Sequence, residues 1–383
     1  MIHRQIAGRF LKLLEGFSVI ILTGPRQSGK TTLCKMELPH YEYYNLEDIA
    51  QREAIASAPK DFLLAHAKGL IIDEVQLLPE LFSYVQVVVD EHPEYRFVLT
   101  GSNNFSLMEN ITQSLAGRAA VLTLLPLSLN ELGGATDFST DELLIRGGYP
   151  AVWSTPKEPS EVYANYFTTY IERDLRRLVN VKDLSSFQLF MRLLAGRIGT
   201  EFNASALSSE VGVSSVTARQ WLSVLEASYV VFRLPPYYRN VGKRIVKASK
   251  LYFFDTGLVC FLLNIRDKNQ IAPHPLRGKI FENMVVSEFM KRSFSTAYKP
   301  GLFFYRDSGQ KEVDLIEEES FDVLKAYEIK SARHYNGSFG AGLTYFKRLY
   351  GNAVVRSTVL YDGEDELSDA AVARRNVRRF FTE

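Results

Sequence analysis

Residues 17–37 read FSVIILTGPRQSGKTTLCKME, and this stretch decides the fold of the first part of the chain. Within it, residues 24–31 fit the pattern G-x-x-x-x-G-K-[ST], directly after an apolar strand-like run and before a helical pattern. The glycines let successive backbone N–H groups turn toward phosphates, and the N-terminal end of the following helix adds positive potential. Lys30 would reach the β- and γ-phosphates of ATP, and the Thr31 hydroxyl would bind Mg²⁺.

A second short apolar run, residues 70–74, reads LIIDE and ends in two acidic residues. Placed beside the first strand, Asp73 would hold Mg²⁺ through water. Glu74 would orient or deprotonate the water that attacks the γ-phosphate. Acidic pairs at strand ends also cap strands or face solvent, but the phosphate loop upstream favours the catalytic interpretation.

A third apolar run, residues 97–103, reads FVLTGSN and ends in small polar residues. In ATPases of this build a polar side chain at this strand end senses the γ-phosphate, which indicates Asn103 or Ser102. A simple strand-end turn is the alternative. Further on, Arg118 would stabilise transition-state charge on the nucleotide of a neighbouring subunit or, in a monomer, on its own. A surface salt bridge is the alternative for this arginine.

The three runs alternate with helical patterns after Lys30, across residues 61–67 and across residues 79–91. Near-continuous apolar strands are typical of a parallel sheet that is buried on both faces. The alternation therefore predicts an α/β fold for this region. Beyond residue 134 helical patterns predominate, and residues 266–278, with two prolines, are typical of a linker.

Several motifs occur in order along the chain. They are GPRQSGKTT at 24–32, DEVQ at 73–76, LTGS at 99–102, SLAGR at 114–118, LPLS at 125–128 and RGGYP at 146–150. Together they resemble a prokaryotic family of AAA-type P-loop ATPases with a conserved C-terminal region of unassigned function. The resemblance implies an AAA-like ATPase core, a helical lid or connector, a winged helix and an α/β C-terminal domain similar to the PD-(D/E)XK nuclease fold.

We place these four domains at residues 1–135, 136–184, 185–265 and 279–383. The ATP site would be formed by Gly24, Pro25, Arg26, Gln27, Ser28, Gly29, Lys30, Thr31 and Thr32.

A helix-turn-helix is predicted in the middle of the chain, because helical patterns at 205–211 and 215–227 flank a Gly-containing turn. The apolar residues Leu207, Val211, Val216, Leu222 and Leu225 would face inward. The polar residues Thr217, Arg219, Gln220 and Ser223 would project from the second helix toward DNA. Strands at 229–234 and 245–254 would form a wing, whose connection carries the basic residues Arg239, Lys243, Arg244, Lys247 and Lys250. A protein-binding module is the alternative.

The last region carries an acidic constellation. Glu282 lies on a helical pattern, whereas Asp314 and Glu328 lie on strand-like runs in the spacing D-x13-E-x-K that ends at Lys330. Period-two geometry puts Glu328 and Lys330 on one strand face. Three carboxylates would hold Mg²⁺ or Mn²⁺ and activate water for phosphodiester cleavage, with Lys330 stabilising the developing charge. A domain of this fold that binds without cutting is the alternative.

Composition limits these expectations. The 383 residues carry 45 Lys+Arg and 44 Asp+Glu, so a uniformly basic nucleic-acid binder is excluded. Basic residues cluster locally, in the wing connection and in the pairs at 374–375 and 378–379. Two cysteines cannot form a disulfide framework, and no apolar run approaches the ~20 residues of a membrane span. We expect a cytoplasmic protein without a membrane partner.

The sequence thus predicts an Mg²⁺-dependent ATPase whose nucleotide state controls a C-terminal module that acts on DNA. The alternative is a nucleotide-gated scaffold whose C-terminal domain is catalytically inactive and binds protein partners. A homo-oligomer is expected if Arg118 acts on a neighbour.

Overall fold

The computed structural model describes residues 2–101, 114–133, 137–169, 184–239, 248–296, 300–368 and 370–383. The chain forms two compact units, of which the first comprises Met1–Pro126, Ala227–Tyr229 and Phe294–Ala297. The second comprises Leu127–Glu226, Val230–Ser293 and Tyr298–Glu383. The four domains proposed from the sequence are a finer division and stay a prediction. Within the described ranges, no helix has the length and apolar character that a membrane crossing requires.

The first unit is built on a parallel sheet. Its helices are α1 (Ala7–Gly16), α2 (Lys30–Glu37), α3 (Ile49–Ser57), α4 (Pro59–Ala65) and α5 (Leu81–Glu91), and its strands are β1 (Val19–Thr23), β2 (Glu42–Asn45), β3 (Leu70–Asp73), β4 (Phe97–Thr100) and β5 (Ala119–Thr123). The strand order is β2-β3-β4-β1-β5, and all neighbouring strands are parallel. The predicted α/β class with a parallel sheet is confirmed.

Successive side chains of β1 enter two different hydrophobic cores. Ile21 belongs to the cluster that includes Val85 of α5, whereas Ile20 belongs to the cluster that includes Phe10 of α1. All four side chains are fully buried. Because burial of such a side chain contributes about 1.5–3 kcal/mol, the sheet is anchored on both faces. Its carboxyl edge, where β1, β3 and β4 end, is thereby fixed in position.

The second unit contains the remaining elements. Its helices are α6 (Thr140–Arg146), α7 (Pro150–Ser154), α8 (Pro159–Tyr166), α9 (Leu184–Ala195), α10 (Ala204–Val211), α11 (Ser215–Ala227), α12 (Thr256–Leu262), α13 (Lys268–Ile271), α14 (Arg277–Ser295), α15 (Ala341–Tyr350) and α16 (Val377–Thr382), and its strands are β6 (Val231–Leu234), β7 (Lys250–Phe253), β8 (Gly301–Arg306), β9 (Glu312–Ser320), β10 (Val323–Lys330), β11 (Val354–Tyr361) and β12 (Ala373–Asn376). The last residue of α11 and the last two residues of α14 belong to the first unit.

The two helices predicted in the middle of the chain are α10 and α11. They are joined by a turn in which Gly212 has φ 79°, a left-handed conformation that favours glycine at a helix end. Strands β6 and β7 pair antiparallel, with Val231 opposite Phe253. The orientation predicted for Val216 is wrong, because this side chain is 58% exposed in the first turn of α11.

The C-terminal part of the second unit is a mixed sheet in the order β12-β11-β10-β9-β8. Strands β8, β9 and β10 pair antiparallel, whereas β10, β11 and β12 pair parallel. Helix α14 precedes the sheet, and α15 connects β10 to β11. Buried residues such as Val313, Phe346 and Val359 form one hydrophobic cluster, which ties α15 to the sheet.

Candidate functional site

The phosphate loop joins the end of β1 to the start of α2. Gly24 has φ 143°, and a Cβ atom there would lie 2.2 Å from the carbonyl oxygen of Leu124, so only glycine fits. Gln27, with φ 62°, also adopts the left-handed region that non-glycine residues seldom occupy. The loop is therefore a tightly curled segment whose backbone conformation is set by its neighbours.

Lys30 points back over this loop. Its ammonium donates hydrogen bonds to the carbonyl oxygens of Gly24 (3.0 Å) and Pro25 (2.9 Å). Burial lowers the pKa of Lys30 to about 8, although the carboxylates of Glu74 and Asp73 partly oppose the shift. A polyphosphate would restore the favourable environment of a charged ammonium.

Ser28 supplies an independent indication that the loop fits a polyphosphate. Its side chain is fully buried, and in the described part of the chain its hydroxyl oxygen has no hydrogen-bond partner. Buried hydroxyls are ordinarily paired. The N–H groups of the first turn of α2, which starts at Lys30, have no side-chain cap. Together with the ammonium of Lys30 they provide the donors that a phosphate group requires.

The carboxylate of Asp73, at the end of β3, accepts four hydrogen bonds. Its Oδ2 accepts hydrogen bonds from the Thr31 hydroxyl at 2.5 Å and from the Tyr43 hydroxyl at 2.8 Å. Its Oδ1 accepts from the Thr100 hydroxyl and from the backbone N–H of Glu74 at 3.1 Å. The structure thus brings the phosphate-loop hydroxyl and the strand-end carboxylate of the predicted site together. These hard oxygen donors suit Mg²⁺.

Glu74 has a left-handed backbone conformation, with φ 54° and ψ 44°. Such a conformation is costly for glutamate and is typical of functional sites. Its carboxylate accepts a hydrogen bond from the side-chain amide of Gln76. Gln76 belongs to the DEVQ motif, but its contact with Glu74 was not predicted. The contact restrains the carboxylate assigned to the attacking water.

Other residues of the predicted ATP site lie on the rim of the loop. Arg26 forms an ion pair with Glu47 at 2.6 Å, and both side chains are partly exposed. Thr32 is exposed in the first turn of α2. Of the two sensor candidates, Asn103 and Ser102, both lie outside the described residues.

Arg118 lies at the amino ends of the strands, whereas the phosphate loop lies at their carboxyl ends. It precedes β5, whose first residue, Ala119, pairs with Val19 at the start of β1, whereas the phosphate loop follows the end of β1. Its guanidinium binds the carboxylate of Asp90 through two hydrogen bonds of 2.6 and 2.9 Å. This position separates Arg118 from a nucleotide bound by its own chain.

Arg4 is a buried residue that the sequence reasoning missed. Its guanidinium donates hydrogen bonds to the carbonyl oxygens of Ser28 (2.7 Å) and Leu125 (2.6 Å). It therefore braces the phosphate loop against the segment after β5. Nothing in the local pattern around Arg4 signals this role, because both acceptors are backbone atoms distant in sequence.

The C-terminal constellation assembles in the second unit. Glu282 (α14), Asp314 (β9) and Glu328 (β10) are all buried. The Asp314 carboxylate accepts a hydrogen bond from the N–H of Ile329 at 2.8 Å, and Lys330 binds Glu328 at 2.5 Å. Burial raises the pKa of Asp314, and the charge of Glu282 adds to the shift. Burial also raises the pKa of Glu328, with a further contribution from Asp314.

The divalent-metal site predicted for this constellation stays a prediction. In the described ranges, no group of three or more His, Cys, Asp or Glu side chains is arranged to hold a metal ion. A cation of the protein lies beside these carboxylates: the fully buried ammonium of Lys250 on β7 pairs with Glu312 and lies 3.5 Å from Glu282. The Glu282 carboxylate also accepts from Tyr252 at 2.7 Å. The carboxylates are thus compensated by protein cations and donors.

The structure describes only part of the surfaces that were predicted to face DNA. Arg219, Gln220 and Ser223 are exposed on α11, whereas Thr217 is half-buried. In the wing connection, Lys243, Arg244 and Lys247 lie outside the described residues. Arg239 pairs with Asp322 at 2.8 Å.

The C-terminal arginines are paired with acidic neighbours. Arg374 lies 2.9 Å from Asp365, and Arg375 lies 3.1 Å from Glu366. Arg379 pairs with Glu364. These ion pairs neutralise three of the four arginines of the basic tail, whereas Arg378 donates a hydrogen bond to the carbonyl oxygen of Phe138 at 2.8 Å.

Comparison with known families divides the chain into three regions. Residues 16–133 match the family described as an AAA domain. Residues 137–269 match a domain of unknown function, DUF8612, and residues 277–375 match another, DUF4143.

Curated relatives match along most of the chain. The proteins Rv2008c of Mycobacterium tuberculosis and Mb2031c of Mycobacterium bovis, both described as uncharacterized, are 31% identical over 379 residues, covering 97% of this chain and 83% of theirs. An uncharacterized protein of Haemophilus influenzae is 23% identical over 357 residues, covering 82% of this chain and 84% of its own.

Solved structures with partial similarity include two archaeal proteins. The Walker-type ATPase paby2304 of Pyrococcus abyssi has a TM-score of 0.45 and 13% identity, covering 68% of this chain and 95% of its own. The ORC2 protein of Aeropyrum pernix in its ADP form has a TM-score of 0.34 and 15% identity, covering 60% of this chain and 85% of its own.

Proposed function

Because the chain belongs to one family with the mycobacterial proteins Rv2008c and Mb2031c and carries an AAA-type ATPase domain, we propose that it binds and hydrolyses ATP. The observation that carries this proposal is the 2.5 Å hydrogen bond between the Thr31 hydroxyl and Asp73. It joins the phosphate loop to the acidic strand end, although the two residues are distant in sequence. Neither motif alone would establish the site.

Each residue of this site has its own role in binding or hydrolysis. The backbone N–H groups of the loop and the Lys30 ammonium bind the phosphates, and Ser28 offers a buried hydroxyl. Thr31 and Asp73 would hold Mg²⁺, which neutralises charge that develops on the phosphates when it is bound. Glu74 orients the attacking water and accepts its proton. Release of Glu74 from the Gln76 amide would free its carboxylate for this step.

Equilibrium binding tests the assignment of the loop. Lys30→Ala removes the ammonium that contacts the phosphates, so binding of a fluorescent ATP analogue with Mg²⁺ should weaken at least ~10-fold. Lys60→Ala is the matched control, because Lys60 is a partly exposed lysine of α4 whose side chain pairs with Glu91. Equal binding by Lys30→Ala and Lys60→Ala would refute the site.

The proposed role of Arg118 requires an oligomer. Arg118 lies at the amino ends of the strands, away from the phosphate loop of its own chain. It would therefore stabilise transition-state charge on the nucleotide of a neighbouring subunit. Light scattering with ATP bound to Glu74→Gln tests this role. A monomer with unaltered hydrolysis in Arg118→Ala would leave Arg118 as a surface ion pair with Asp90.

For the C-terminal region we propose the nucleotide-gated scaffold in preference to an active nuclease. The strand order and the placement of Glu282, Asp314 and Glu328 support a nuclease-like fold. The buried Lys250 ammonium supports an inactive domain, because it compensates the charges that a divalent cation would balance. The ion pairs of Arg374 and Arg379 with acidic neighbours weaken the argument for a nucleic-acid contact at the C-terminal tail.

Nuclease assays separate the two candidates. Wild type, Asp314→Ala and Lys330→Ala are incubated with Mg²⁺ or Mn²⁺ and varied DNA and RNA. The scaffold predicts no cleavage that depends on these residues, so any trace activity is equal in all three preparations. Cleavage by wild type that both variants lose would establish the nuclease.

DNA contact through α11 is tested separately by salt dependence. Exposed Arg219 and Gln220 are the residues that favour it. If they contact phosphates, binding falls steeply between 50 and 200 mM salt, roughly 10³-fold or more for six or more contacts. Undetectable or salt-insensitive binding supports the scaffold.

A further inference from the structure

Tyr43 contacts the nucleotide site from a strand that no nucleotide-binding motif includes. It lies on β2, where it pairs in register with Ile71 of β3. Its hydroxyl donates a hydrogen bond of 2.8 Å to Oδ2 of Asp73. This is the same oxygen that accepts the 2.5 Å hydrogen bond from Thr31.

The Asp73 carboxylate depends on Tyr43 for a complete set of donors. A carboxylate offers about four acceptor positions, and the structure gives each oxygen of Asp73 two donors. Thr100 and the Glu74 N–H fix one oxygen, whereas Tyr43 and Thr31 fix the other. If the Thr31 hydroxyl turns to a metal ion, Tyr43 is the donor that continues to orient Oδ2.

The surroundings of Tyr43 keep its phenol in position as a donor. The Lys35 ammonium lies 3.7 Å from the centre of the ring, in a cation–π contact. The phenol is thus held from two sides, by Lys35 at the ring face and by Asp73 at the hydroxyl.

We propose that Tyr43 is a positioning residue for Mg²⁺, which it serves by orienting the Asp73 carboxylate that, with Thr31, holds the metal beside the nucleotide. The inference rests on the proposed ATP site. Groups that orient a metal-binding carboxylate typically change metal affinity about 10–100-fold when removed. The role requires the phenolic hydroxyl, not the aromatic ring.

The test is the Mg²⁺ dependence of ADP binding by the full chain, without hydrolysis. In Tyr43→Phe we expect the Mg²⁺ concentration at half-maximal enhancement of ADP binding to rise roughly 10-fold. ADP affinity without metal and the melting temperature should match wild type. Tyr44→Phe is the matched control, since the Tyr44 hydroxyl lies on the same strand but contacts His66 at 3.1 Å.

Three outcomes would overturn the inference. A Mg²⁺ dependence in Tyr43→Phe equal to that of wild type would show that the hydroxyl does not orient the metal site. Weaker ADP binding in metal-free buffer would show a general structural role. If wild type itself binds neither ADP nor ATP at any Mg²⁺ concentration, the proposed ATP site fails, and the role of Tyr43 fails with it.

Discussion

The Thr100 hydroxyl at the end of β4 donates a hydrogen bond to Oδ1 of Asp73 at the end of the neighbouring β3. The register explains the contact, because Ile72 pairs with Leu99 and the next residue of each strand is at the same level. Both side chains are buried. A polar side chain at the end of β4 therefore contacts the strand-end carboxylate, three residues before the sensor candidate Asn103.

Thr100→Val should slow ATP hydrolysis while leaving ADP binding without metal nearly unchanged. The substitution keeps the shape of the side chain but removes a hydrogen bond to a charged group, worth about 1.5–3 kcal/mol. Steady-state kinetics should show kcat reduced roughly 10–100-fold. Thr100→Ser retains the hydroxyl and should recover most of the rate; equal loss in both variants would contradict the assignment.

Gly24→Ala should destabilise the first unit and abolish nucleotide binding. Alanine at φ 143° is strained by about 1–3 kcal/mol, and its Cβ would also collide with the Leu124 carbonyl. Urea unfolding and ADP binding measure the two effects. Gly8→Ala, where a Cβ meets nothing within 4 Å, should change stability by less than about 1 kcal/mol. Similar behaviour of both variants would contradict this account of the loop.

The sequence predicted those parts of the nucleotide site that depend on local pattern. Strands β1, β3 and β4 have continuous apolar runs, so their positions and the adjacent residues Lys30, Thr31 and Asp73 were evident. Strand β2 reads EYYN and is half exposed, so it has no apolar run that could reveal it. Tyr43, on β2, was missed for this reason.

Contacts that join distant segments could not be predicted from spacing. Lys250 was counted among basic residues available to DNA, yet it is fully buried beside Glu312. The tail arginines and the acidic residues at 364–366 were both visible in the sequence, whereas the ion pairs between them were not. Charge patterns show which residues are present but leave open which of them compensate one another.

Lys250→Met should strongly destabilise the second unit. Removal of the buried cation takes one partner from Glu282 and from Glu312, which keep Lys279 at 2.7 Å and Arg306 at 2.6 Å. Breaking a buried pair costs up to about 3–5 kcal/mol. Lys268→Met removes an exposed cation, 3.4 Å from Glu142, and should cost less than about 1 kcal/mol. Chemical denaturation compares the two variants. Adding Glu312→Gln to Lys250→Met should recover part of the loss; no difference between the single variants would contradict the pairing.

The buried Glu328 carboxyl should make stability depend on pH. Burial, followed by the charge of Asp314, raises its pKa from 4.5 to about 8 in the folded protein. Between these values the native state retains a proton that the unfolded state releases, so the free energy of unfolding falls as pH rises. Glu328→Gln should show a shallower decline of melting temperature from pH 4.5 to 8. Glu53→Gln, on the exposed face of α3, should keep the wild-type slope; an unchanged slope in Glu328→Gln would contradict the shift.

The most direct test of the central claim is ATP turnover in wild type and Glu74→Gln under identical Mg²⁺ concentrations, with bound nucleotide identified after separation from free ligand. Removal of a general base typically slows such a reaction about 10²–10⁴-fold. We predict that wild type converts ATP to ADP, whereas Glu74→Gln binds ATP and retains it unhydrolysed. Equal hydrolysis by both proteins, or failure of both to bind ATP, would contradict the account.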